Sequence, residues 1–83
     1  MKKVFFVQHA LDRMSERSIT EEQVKSTLNL PDQIDCRNEK RKIAQRFIEG
    51  RLLRVIYEED DDAVIVVSAY CTSKVSKYIR GYE

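Results

Sequence analysis

Two β-prone runs separated only by a cluster of acids constrain this chain more than any other feature. LLRVIYE (Leu52 to Glu58) and AVIVVSAY (Ala63 to Tyr70) are rich in branched and aromatic residues, and the acidic run Glu58–Asp62 lies between them. So short a polar link joins neighbouring antiparallel strands. In the first run Leu53, Val55 and Tyr57 share one side and Leu52, Arg54 and Ile56 the other. The second is apolar on both sides through Val67, which places it centrally in the sheet. Upstream, Lys42 to Ile48 reads as a strand joined to Leu52 by a tight Glu49-Gly50 turn. A weaker strand, Gln33 to Arg37, precedes it across an Asn38-Glu39-Lys40 loop. The expectation is an antiparallel meander of four strands.

The first third of the chain reads differently. Gln8 to Arg17 has helical spacing, with Val7 placed to staple its start. Thr20 and Gln23 form a capping box, Glu21 and Glu22 suit the positive helix end, and Val24 and Leu28 supply the apolar side. Pro31 ends this helix near Asn29. Helix, helix, then strands describes an α+β fold: an N-terminal helix pair packed on a four-stranded antiparallel sheet whose opposite face stays open. The tail CTSKVSKYIRGYE either extends the last strand or adds a short helix. At 83 residues, 42% of them hydrophobic, positions 1–83 make a single domain. No apolar run approaches the length of a membrane span, and MKKVFFVQHAL lacks the length and cleavage site of a secretory signal, so a soluble, cytoplasmic protein is expected. Cys36 and Cys71 are too few and too far apart for a zinc cluster and read as buried small hydrophobes.

Formal charge is +1, but five of the fourteen acids sit in the Glu58–Asp62 run, so the rest of the chain carries fifteen bases against nine acids. A binding face can therefore be basic. His9, the single histidine, stands four residues before Arg13, which stands four before Arg17. On a helix this stacks an imidazole and two guanidiniums in one stripe bordering the core-facing Val7, Ala10, Leu11 and Met14, a placement able to grip a phosphate. The plainer alternatives are surface pairs, His9 with Asp12 and Arg13 with Glu16. Arg46 and Arg54 are expected to project from the open sheet face, with Ser68, Tyr70, Thr72 and Lys74 in one parity near the last strand's end. Tyr70, Ser73, Lys74, Lys77 and Tyr78 mix rings, hydroxyls and amines in the manner of phosphate contacts and base stacking, or of an exposed basic tail. There is no Gly-rich phosphate loop, HExxH, GxSxG or paired CxxC, and the acidic run lacks the ligand spacing and glycine of a calcium loop. No metal and no cofactor are expected.

HALDRMSERSITEEQV followed by GRLLRVIYEEDDDAVIVVSAYCTSKVSKY resembles a small bacterial and phage-associated family catalogued as a domain of unknown function, DUF4258, itself similar in layout to BrnT-like and RelE-like toxins. The resemblance implies the ribonuclease-toxin fold of RelE, barnase and colicin-type RNases, and carries His9, Arg13, Arg17, Ser68 and Tyr70 as site positions. It departs in charge, since RelE-like toxins are usually more basic. The implied function is a metal-independent endoribonuclease, the toxin of a toxin–antitoxin pair, in which an RNA 2′-hydroxyl attacks the adjacent phosphate. In it His9 is the acid or base, Arg13 and Arg17 stabilise phosphate charge, and Tyr70 orients the phosphate or stacks a base. Arg46, Arg54, Ser68, Thr72, Lys74 and Lys77 would contact the nucleic acid, and an antitoxin would be the protein partner. The competing readings are a non-catalytic nucleic-acid or protein-binding module and a regulatory partner that pairs through a sheet edge.

Overall fold

The Glu49–Gly50 turn sets the register of the sheet. In the computed structural model, which describes residues 2–75, both turn residues have positive φ (50° and 78°), as a two-residue type I′ hairpin demands. The turn joins β3 (Arg41–Ile48) to β4 (Arg51–Glu59), pairing Ile48 with Arg51 and hence Gln45 with Arg54. β2 (Gln33–Cys36) pairs antiparallel with β3, and β5 (Ala63–Thr72) antiparallel with β4. These four strands are the expected meander.

A fifth strand corrects the expectation of a four-stranded antiparallel sheet. β1 (Lys3–Phe6) lies beside β5 in parallel, giving a mixed sheet ordered β1-β5-β4-β3-β2. β1 follows Lys2 and begins with Lys3, and a run of only four residues does not by itself separate a strand from the approach to a helix. What fixes β1 is partnership with a strand some 60 residues away, Val4 and Phe6 entering the core while Phe5 stays exposed. β5 also departs from simple alternation. A register shift opposite Ile56/Tyr57 inserts one extra residue, so that Val64 and Val66 before it and Ala69 after it all face the core. This explains a run that is apolar in both parities through Val67.

α1 (Gln8–Glu16) and α2 (Glu21–Asn29) cover one sheet face. Val7 is the N-cap of α1 and 36% exposed, so it does not act as a staple; Phe6 packs on the core instead. α2 opens with the expected capping box, Gln23 N–H donating to Thr20 Oγ1 at 3.1 Å and Thr20 N–H to Gln23 Oε1 at 3.0 Å. Ala10, Met14, Ile19 and Val24 from the helical segment close on Leu53, Val55, Val66 and Ala69. The opposite sheet face is not open as expected: Ile43, Gln45, Leu52 and Arg54 are all buried there. No helix among the described residues is long and apolar enough to cross a membrane.

The acidic run is more than a solvated loop. Asp60 Oδ1 accepts the backbone N–H groups of Asp62 and Ala63 at 2.9 and 2.8 Å, closing the β4–β5 turn, and those bonds hold its carboxyl below the usual range. Glu59 accepts from Lys2 at 2.9 Å and Lys42 at 3.2 Å, linking β3 and the residue preceding β1 to β4. The Lys2 hydrogen bond leads in lowering the Glu59 carboxyl. A carboxyl lowered in the folded state adds stability above its unfolded pKa and loses it as pH falls through the folded value. Wild type should therefore lose up to about 1 kcal/mol more than Glu59→Gln between about pH 6 and pH 3, measured by urea unfolding. Equal acid sensitivity of the two proteins would contradict this.

Candidate functional site

Arg17 is held by the way α1 stops. Ile19 N–H donates to Met14 O at 2.9 Å and Ser18 N–H to Ser15 O at 3.3 Å, with Ser18 at φ 57°, the paired bonds of a Schellman ending. Buried Ile19 completes the motif by packing in the same cluster as Met14. Arg17 becomes the C-cap, and its guanidinium donates to the Ala69 carbonyl of β5 at 2.9 Å. Arg17, Arg51, Tyr70 and Cys71 together line a hollow of about 440 Å³ at the C-terminal end of β5. Arg51 is exposed, and so are Cys71 and Cys36, against the expectation that both thiols are buried, because each sits near the end of its strand. The partial burial of Cys71 still pushes its thiol up while Arg51 partly offsets it.

Behind Tyr70 runs a polar row across four strands. Arg54, 2% exposed, donates from Nε to Gln45 Oε1 at 2.9 Å and from Nη1 to the Tyr70 hydroxyl. Its Nη2 lies 3.8 Å from Asp35 Oδ2, and its guanidinium carbon 5.6 Å from the centre of the Tyr70 ring. Gln45, fully buried, donates to the same Asp35 at 3.0 Å, and Gln33 donates to the other Asp35 oxygen at 3.0 Å. Among the described residues no buried side-chain nitrogen or oxygen lacks a partner. Burying this charge is tolerable because its hydrogen bonds are made. One consequence is directional. The Tyr70 oxygen accepts from Arg54, which leaves the phenolic proton for a group in the hollow.

The expected residues fall in several places. His9 is exposed in the first turn of α1, about 12 Å along the helix axis from Arg17, with no hydrogen bond or ion pair among the described residues. Asp12 accepts from Gln8 at 2.9 Å rather than pairing with His9. Arg13 forms the plainer pair with Glu16, at 3.0 and 3.1 Å to its two oxygens. Arg17 and Tyr70 meet in the hollow, and Arg54 adjoins it from behind. Ser68 and Thr72 flank Tyr70 on its own face, half-buried, opposite Ile56 and Leu52. Lys74 follows the strand and is exposed, its backbone N–H donating to Thr72 Oγ1 at 3.1 Å. Arg46 corrects its expected placement. It shares the helix-side parity of Ala44 and Leu53 and donates to the Ser26 carbonyl at 3.3 Å and to the Ser26 hydroxyl, on the face opposite Arg54. Lys77 and Tyr78 lie outside the described residues.

Sequence reasoning missed Arg51, Cys71, Gln45 and Asp35 as neighbours of the site. The first three were open to the turn register, since a two-residue loop at Glu49–Gly50 sets Gln45 opposite Arg54 and starts β4 at Arg51 on the parity of Leu53, the partner of Cys71. Nothing local signals Asp35. Its approach to Arg54 spans the width of β3. Among the described residues no grouping of His, Cys, Asp or Glu could hold a metal ion.

The family model described as "Domain of unknown function (DUF4258)" matches residues 6–71, and the chain belongs to that family. No curated protein and no solved structure matches it. The matched span holds both helices, strands β2 to β4, β5 as far as Cys71, and all four residues lining the hollow.

Replacing Arg54 by Met keeps much of its volume and removes its donors, stranding the buried Gln45 oxygen. The variant should unfold with a loss of about 2 kcal/mol or more in urea. A loss below about 0.5 kcal/mol would show that the polar row does not secure this face.

Proposed function

We propose that the hollow lined by Arg17, Arg51 and Tyr70 takes an RNA phosphodiester and that the domain is a metal-independent endoribonuclease, the toxin of a toxin–antitoxin pair. The observation that carries the reading is the meeting of Arg17, at the end of α1, and Tyr70, near the end of β5, in one hollow with the second guanidinium of Arg51. Two forked cations match the non-bridging oxygens of a phosphate and the charge that grows on them in the transition state. The nucleophile comes from the substrate. The RNA 2′-oxygen forms a bond to phosphorus, its proton passing to water, while the bond to the 5′-oxygen breaks and that oxygen takes the Tyr70 proton. The products are a 2′,3′-cyclic phosphate and a 5′-hydroxyl, and water later returns the phenolic proton.

In this arrangement Arg54 orients the phenol, and His9 and Arg13, one to two helical turns from Arg17, meet neighbouring nucleotides rather than the scissile phosphate. Ser68, Thr72 and Lys74 extend the contact along the end of β5. An enzyme of this kind requires a neutralising antitoxin in the cell.

Incubation with end-labelled single-stranded RNA in EDTA should yield fragments ending in cyclic phosphate. Tyr70→Phe should slow cleavage at least about tenfold and Arg17→Ala about a hundredfold, whereas His9→Ala should change it less than about threefold. RNA binding without fragments would leave a binding module in place of an enzyme. Cleavage that survives both the Tyr70 and Arg17 changes but is lost with His9 would move the chemistry to α1.

A further inference from the structure

β1 covers only part of β5. It pairs with Ala63–Val66, and one further bond joins Val7 N–H to Val66 O, after which the chain turns into α1. Beyond Val66, β5 continues to Thr72 with β4 on one side and no strand on the other among the described residues. The direction of this outer edge is known from one bond. The Ala69 carbonyl accepts from Arg17, so it points away from β4. In an extended strand the N–H and C=O of one residue face the same side and alternate residues repeat that side, so Ala69 and Cys71 both direct backbone groups outward. An uncovered edge of this kind is a template for another strand.

Its surroundings select the charge of that strand. Arg17 and Arg51 line the hollow at this edge and Lys74 follows β5 by two residues; all three are exposed, and none has a carboxylate within ion-pair distance among the described residues. Lys2, Arg13, Arg41 and Lys42 each have one. The outer edges of β1 and β2 are each only four residues long, and β2 carries Asp35 with Asp32 just before it.

We infer that the outer edge of β5 from Val67 to Thr72 receives an extended, carboxylate-bearing segment of a partner polypeptide as an added strand. The exchange conserves hydrogen bonds. A partner N–H takes the Ala69 carbonyl, the Ala69 and Cys71 N–H groups find partner carbonyls, and the Arg17 guanidinium so released pairs with a partner carboxylate, as does Arg51. Nucleic acid cannot supply the alternating amide pattern that this edge offers. The inference stands on the strand edge and its charge. Only its consequence rests on the ribonuclease reading: the added strand would cover the hollow and stop RNA from entering.

The test uses the full chain as bait for a displayed library of random twelve-residue peptides. Enriched peptides should be acidic, and a synthetic copy of the leading one should slow amide hydrogen exchange at Ala69 and Cys71. The double change Arg17→Glu and Arg51→Glu should weaken that peptide at least about tenfold, and Arg17→Ala with Arg51→Ala should weaken it in the same direction if charge reversal harms folding. No peptide binding tighter than about 100 µM, binders without carboxylates, or unchanged exchange at Ala69 and Cys71 would overturn the inference. Inhibition of RNA cleavage by the same peptide is a separate arm. If the protein cleaves no RNA, peptide binding still decides the docking edge, and if no peptide binds, cleavage still decides the hollow.

Discussion

A guanidinium placed in the middle of a sheet must be satisfied completely or the strands around it cannot close. Arg54 meets that demand through Gln45 on β3, Tyr70 on β5 and the Asp35 carboxylate on β2, so a single side chain links all four antiparallel strands. Each partner is itself constrained. Gln45 spends its amide on Asp35, and Tyr70 spends its oxygen on Arg54. The geometry follows from strand pairing, because Gln45 and Tyr70 are the register partners of Arg54 on either side. The low dielectric that makes such a charge costly also strengthens its bonds, so the row rigidifies the face that carries Tyr70.

The other half of the proposed site comes from a helix end. α1 stops one residue before Arg17, and the left-handed Ser18 sends the chain back so that Ile19 drops into the core. That reversal aims Arg17 across the sheet edge at Ala69. The edge is available because β1 ends at Phe6, and the residue inserted in β5 near Tyr57 restores core parity while turning Ser68, Tyr70 and Thr72 to the far face. A short first strand, a bulge and a helix stop thus bring Arg17, Arg51 and Tyr70 to one place.

Local chemistry made the helices and the meander legible. The Thr20–Gln23 capping box, the Glu49–Gly50 turn and the β-branched runs each determine structure within a few residues. β1 is hard to read, because Val4-Phe5-Phe6 is β-prone but short and runs almost directly into α1, so its pairing with β5 rather than its length makes it a strand. The four-residue spacing of His9, Arg13 and Arg17 correctly described a helix face but not its surroundings. Glu16 engages Arg13, the helix end engages Arg17, and His9 stays exposed. Arg46 and Arg54 looked alike as strand arginines, yet parity sends one to Ser26 of α2 and the other into the polar row. Tyr70 was found by residue type and strand position, and Arg51 was missed because it closes on the site only when the hairpin register is applied.

The central claim is that the fold assembles a phosphate site from Arg17, Arg51 and Tyr70. A crystal structure with a short RNA carrying a 2′-deoxy sugar at the scissile step, which blocks cleavage, tests it most directly. The account predicts a backbone phosphate in the hollow with oxygens about 3 Å from both guanidiniums and from the Tyr70 hydroxyl. A phosphate seated instead along α1 at His9 and Arg13, with the hollow holding no part of the RNA, would contradict it.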